Sequence, residues 1–130
     1  MTYEQACRMI KDHFESHWPQ YIPMIYPNES EDLGFPDQFG RITIRPSSGR
    51  QVAVDGRKHR RRGMVMVQLF VLQGTGQDNI GAMEEMATQI FTDHLVPNIR
   101  FSDVGADRLG NDNYGYFQSN VNASFQYDVK

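Results

Sequence analysis

Phe117-Gln118-Ser119-Asn120-Val121-Asn122-Ala123-Ser124-Phe125-Gln126-Tyr127-Asp128-Val129 alternates residue by residue. Phe117, Val121, Ala123, Phe125, Tyr127 and Val129 fall on one side, polar residues fall on the other, and Ser119 alone breaks the apolar side. Strand side chains point to opposite faces with a period of two. The segment therefore reads as a long strand with one face on a core and one face in water, as in antiparallel sheets. Such a sheet needs a second layer on its apolar face.

Two helices supply that layer. Residues 3–18 place Ala6, Met9, Ile10, Phe14 and Trp18 at helical spacing; Thr2 with Gln5 forms a capping box, and Pro19 ends the run. Residues 78–94 repeat the pattern, with Ile80, Met83, Met86, Ala87, Ile90, Phe91 and His94 as the buried face and Pro97 as the stop. Gly74-Thr75-Gly76 reads as the turn into this helix, with Thr75 and Asp78 able to cap it.

The remaining strands follow from the same rules. In residues 39–45, Ile42 and Ile44 point one way and Arg41, Thr43 and Arg45 the other. Residues 64–72, MVMVQLFVL, are apolar on both faces apart from Gln68. That strand is expected to be covered twice, by a helix of this chain and by a second body for which a neighbouring subunit is the candidate. Residues 99–104 form a short strand, and 105–115, with three glycines, a polar turn region. Pro23 and Pro27 restrict residues 21–28 to an extended edge segment. Residues 29–38 read as a loop made negative by Glu29, Glu31, Asp32 and Asp37, and residues 46–63 as a long polar loop. The expected fold is α+β: a mainly antiparallel four-stranded sheet with two helices packed on one face and long polar loops, a single domain over residues 1–130.

Composition bounds the function. With 130 residues, 39% hydrophobic and 22% charged, the chain can bury a core of its own. A net charge of −3 makes no global case for nucleic-acid binding. Cys7 is the only cysteine, which excludes an intrachain disulfide and suggests a half-buried thiol in a reducing compartment. The N-terminal MTYEQACRMIKDHF is charged throughout and does not read as a signal peptide; the longest apolar run, residues 63–72, is too short to span a bilayer. A cytoplasmic protein without membrane contact is expected.

Catalytic signatures are weak. His13 and His17 have zinc-compatible i, i+4 spacing, but Phe14 stands where a zinc protease carries Glu, and no third ligand is evident. They read as two solvated helix histidines. Gly74-x-Gly76 lacks the third glycine of a dinucleotide site and the Gly-Lys-Ser/Thr of a phosphate loop. Asp103, Asp107 and Asp112 do not match a calcium loop, and no Ser or Cys occupies a nucleophile elbow. No catalytic residue, metal ligand or cofactor is expected, and the chain does not read as an enzyme. The patch that stands out is Arg57-Lys58-His59-Arg60-Arg61-Arg62, with five permanent positive charges. It reads as a solvated loop, a nucleic-acid backbone contact or a contact for an acidic partner. It has no interleaved aromatics for base stacking.

The order of these segments resembles the tail terminator (minor tail) proteins of lambda-like, long-tailed bacteriophages. The likeness is carried by Ile22-Pro23-Met24-Ile25-Tyr26-Pro27-Asn28 after the first helix, then Gly63-Met64-Val65-Met66-Val67-Gln68-Leu69-Phe70-Val71, the Gly74-x-Gly76 turn into a helix, and the closing strand. These motifs are structural, so the resemblance brings no active site. It implies a structural virion protein, assembled in the host cytoplasm as a hexameric ring that caps the tail tube, ends its elongation and presents a surface to the head–tail connector. It also implies DNA passing through the lumen. Arg57, Lys58, Arg60, Arg61 and Arg62 are then the candidates for contact with the lumen or a partner. Glu29, Glu31, Asp32 and Asp37 are the candidates for a subunit interface that closes the ring head to tail. A head–tail connector or completion protein of related fold, or a small module binding nucleic acid or an acidic partner through the basic run, are the alternatives.

Overall fold

Thr2 opens the first helix with a reciprocal cap. Its Oγ1 accepts from the Gln5 amide at 3.1 Å, and Gln5 Oε1 accepts from the Thr2 amide at 2.8 Å. Helix α1 (Tyr3–His17) then buries Ala6, Ile10 and Phe14. Trp18 leaves it in an extended conformation, and its buried indole N–H donates to the Ile22 carbonyl at 3.1 Å. That bond satisfies the one polar group on the ring. The computed structural model describes residues 1–27, 29, 34, 36–47, 52–54, 58–74 and 77–129, with the backbone alone at 52–54, 58, 59 and 77. The remaining elements are β1 (Met24–Ile25), β2 (Gln38–Pro46), β3 (Val52–Val54), β4 (Lys58–Leu72), α2 (Gln77–Thr92), β5 (Ile99–Asn111) and β6 (Tyr116–Asp128).

The expected α+β sandwich is present. Five strands lie side by side in the order β1-β2-β4-β6-β5; β1 runs parallel to β2, the others are antiparallel, and β3 pairs with the start of β4. Both helices share one core with one side of the sheet. Val65, Val67, Leu69 and Val71 of β4, Ile42 of β2 and Val121, Ala123 and Phe125 of β6 cluster with Ile10, Phe14, Ile80, Met83, Ala87 and Ile90. Trp18, Phe14, Val67, Leu69, Ile90, Phe91, Val121 and Phe125, the core that periodicity selects, are all 5% exposed or less. Ser119, the break in the apolar side of β6, is fully buried and donates to the Glu84 carboxylate of α2. Arg108 of β5 grips the same carboxylate, Nε at 3.1 Å from Oε2 and Nη2 at 2.9 Å from Oε1. Burial pushes the Glu84 carboxyl up, but the hydrogen bonds from Arg108 and Ser119 and the Arg108 charge outweigh it and hold it below the usual value.

Several expectations are corrected. The sheet exceeds four strands by two short ones, β1 and β3. The basic run is not a loop: from Lys58 onward it is the first third of β4, with β3 on one side and β6 on the other, where Arg60 faces Asp128, Arg61 faces Tyr127 and Arg62 faces Gln126. Alternation sends neighbouring arginines to opposite faces, which relieves the repulsion between them. Strand β5 does not stop at Val104. It continues to Asn111 through register shifts at Ser102/Gly105 and Arg108/Gly110, so two of the three glycines in 105–115 flank bulges and only Gly115, at φ 93°, serves a turn. Helix α2 ends at Thr92, and His94 lies beyond it, exposed instead of buried. Thr75, proposed as its cap, and Gly76 of the preceding turn lie outside the described residues.

Within the chain, β4 is covered on both faces at one end only. On the helix-free face Phe70 is 8% exposed, stacked on Phe39 at 4.6 Å and met edge-on by Tyr116, whose hydroxyl donates to the Pro36 carbonyl at 2.9 Å. Further along the same face Met64 is 46% exposed.

Candidate interaction face

The strand register assigns side chains to the face away from the helices. Val65, Val67, Leu69 and Val71 point to the core, so Arg60, Arg62, Met64, Met66, Gln68 and Phe70 point the other way. Pairing then brings Arg41 and Arg45 of β2 beside Gln68 and Met64, Asn120, Asn122 and Ser124 of β6 beside Gln68, Met66 and Met64, and Arg100 of β5 beside Gln126. The result is a graded surface. An aromatic end of Phe39, Phe70 and Tyr116 leads to an amide centre, where Gln118 Nε2 donates to Asn120 Oδ1 at 3.0 Å. A basic end follows, with Arg45, Arg62 and Arg100 exposed. Arg60 is held at this end by Asp128, Nε to Oδ1 at 3.4 Å. The basic end borders an open groove of about 930 Å³ lined by Arg60, Arg100, Asp103 and Asp128 on its polar side and by Phe91 and Phe101 on its apolar side. Among the described residues no helix crosses this face.

The strand geometry divides the sequence-selected arginines. Arg60 and Arg62 share the open face. Arg61 turns to the helix side, where it lowers the Tyr127 phenol against the stronger upward push of burial. Only the backbone of Lys58 is described, and Arg57 lies outside the described residues. Of the acidic candidates, Glu29 is exposed and lies 3.6 Å from Lys11 of its own α1, and Asp37 is exposed while its carbonyl accepts from Leu72 at 2.9 Å. Glu31 and Asp32 lie outside the described residues. Arg41 and Arg45 were legible as the outward side of their strand; Arg100 joins them only through the β5–β6 register.

The two helix histidines have a third neighbour. His17 stacks on His94 at 4.0 Å, with His13 4.8 Å from His17 and 6.1 Å from His94. His13 is not simply solvated, because its Nε2 lies 2.8 Å from the Ile90 carbonyl. Partial desolvation, then the two neighbouring imidazoles, keep His17 below its usual pKa. Among the described residues no group of three side chains is arranged to hold a metal ion. Cys7 is half-buried, and burial raises its thiol pKa, which leaves it a poor nucleophile. No described helix is long and apolar enough to cross a membrane.

No protein-family description matches the sequence, and no curated protein does. Among solved structures, one protein designated by a sequence identifier alone superposes with a TM-score of 0.64 over 95% of this chain and 96% of its own, at 14% identity. At that identity the likeness establishes the fold: two helices against a mostly antiparallel mixed sheet.

Proposed function

We propose that this chain is a non-enzymatic structural protein of the tail-terminator type, which assembles as a ring on the end of a phage tail tube, stops its elongation and offers a surface to the head–tail connector. The observation that carries the reading is the helix-free sheet face, where Met64 is 46% exposed in a strand that buries Val65, Val67, Leu69 and Val71 on its other face. An uncovered sheet face of that kind is available to a partner. The order of elements that underlies the resemblance is also the order in the fold. The arginines at the basic end favour an anionic neighbour, whether a protein ring or DNA in the lumen.

The test is capping. Purified protein is added to growing tail tubes and viewed by negative-stain electron microscopy. Ring-shaped density at one tube end, with tubes halted at fixed length, is the expected result. Tubes that grow on uncapped in excess protein would refute the proposal.

A further inference from the structure

A ring made of identical chains needs two different surfaces on each copy that fit one another. The sheet edges are poor candidates. The exposed edge strand β5 is broken by two bulges, carries Asp103 at a φ of 52° and presents Asp107. The opposite edge strand, β1, is two residues long between Pro23 and Pro27. Bulges, charges and prolines are the devices that stop strands from adding to an edge. At these two edges strand addition between copies is disfavoured, which favours contact through the faces.

The two faces carry opposite charge. On the open sheet face Arg41, Arg45, Arg62 and Arg100 are exposed, against the acids Asp107 and Asp128 and, in the bordering groove, Asp103; Asp128 is already engaged by Arg60. On the far side of the molecule, α2 contains no lysine or arginine. Asp78 and Glu85, seven residues apart, are exposed along one stripe at helical spacing, and Asp93 is exposed just past the helix end. Arginine density on one layer and carboxylates on the other is the arrangement a head-to-tail contact needs.

Resting on the ring reading above, we infer that the helix-free sheet face of one copy docks on the acidic outer stripe of α2 of the next, Arg45 and Arg62 meeting Asp78 and Glu85. The occupant of the open face is thus a second copy of this chain. The exposed Met64 and half-buried Met66 lie at the centre of the contact. Their flexible side chains can fill against a helix surface.

Charge reversal tests this directly. One variant carries Arg45→Glu with Arg62→Glu, the other Asp78→Lys with Glu85→Lys; all four side chains are exposed. Association is followed by light scattering at low salt and high protein concentration, with circular dichroism as the folding control. The expected result is that each variant alone associates at least about tenfold more weakly than the unmodified chain. An equimolar mixture regains association, because each reversed face now meets a complementary one. Should a reversal impair folding, Arg62→Ser and Glu85→Gln take its place, each expected to weaken association alone. If either variant set associates as the unmodified chain does, the inference is overturned while the ring reading stands. If both fail alone and fail together, the faces do not meet each other and it is likewise overturned. An unmodified chain that stays monomeric removes both readings. Retention of that monomer on duplex DNA, lost in the Arg45/Arg62 variant, would assign the face to nucleic acid instead.

Discussion

Gly63 lies beneath the aromatic ring of Phe125, its partner across the β4–β6 ladder. A Cβ at Gly63 would come within 2.6 Å of both Phe125 Cε1 and the Arg45 carbonyl oxygen. The glycine leaves room for the far end of a buried ring against the backbone at the point where β4 passes from its charged third into the core. Gly63→Ala is expected to cost about 1–3 kcal/mol through overpacking, read as a fall in the urea midpoint. Phe125→Leu in the same chain should recover part of that loss. Equal midpoints for Gly63→Ala and the unmodified chain would mean that the ring moves aside freely.

The Glu84 carboxylate joins α2 to β5 and β6 through Arg108 and Ser119. The Arg108 side chain is 41% exposed, so solvent screens the pair. Glu84→Gln should cost about 1–2 kcal/mol, less than the loss of a fully buried partner. The sign with pH follows from the depressed folded-state value. The carboxylate contributes stability above the ordinary Glu value of about 4.3, and that contribution is lost as pH falls through the folded value. The unmodified chain should therefore lose its advantage over Glu84→Gln on acidification below about pH 4. A gap that stays constant from pH 7 to pH 3 would contradict this.

The two faces of β4 should respond differently. Leu69 is fully buried, so Leu69→Ala should cost about 2–5 kcal/mol. Leu69→Asp should abolish folding, because it buries an unpaired charge. Met64→Ser should change the thermal midpoint little and weaken association between copies. Loss of folding in Met64→Ser would show that this side chain belongs to the core of the single chain.

Replacing Arg60 and Arg62 by Ser should also leave thermal stability nearly unchanged, since exposed ion pairs contribute only about 0–1 kcal/mol each. Association between copies should weaken and lose its salt dependence. Normal particle yield with these residues neutralised would make the patch a solvated surface and nothing more.

His17 offers a spectroscopic check. Its pKa is lowered by partial desolvation and then by His94 and His13. His94→Ala should raise the His17 value, visible as a shifted NMR titration of its ring protons. No shift would mean that the stacked pair is apart in solution.

Amphipathic alternation made most of the core legible. In β6, β2 and both helices, one buried face leaves a periodic trace in the sequence, and Thr2 with Gln5 marks a helix start whatever the tertiary setting. The failures share a cause. Beyond Val104, strand β5 lies at the sheet edge with most of its side chains in water, so no apolar period records that part and its glycines read as a turn. The charged third of β4 is a strand because β3 and β6 supply ladder partners, which are non-local and invisible to a short window. The open face was half legible. Arg41 and Arg45 followed from the parity of their own strand, but gathering them with Arg62 and Arg100 required the register of strands distant in sequence. Helix α2 was carried two residues too far, to His94, which hid the meeting of that side chain with His17.

The lone tryptophan gives the molecule a built-in reporter. Trp18 is buried where α1 hands over to β1, stacked on Phe14, on the opposite layer from the open sheet face. Its emission should therefore shift to the red when α1 comes loose and stay unchanged when another molecule settles on the arginines. Fluorescence and light scattering recorded on one sample would then separate loss of the fold from loss of assembly without any added label.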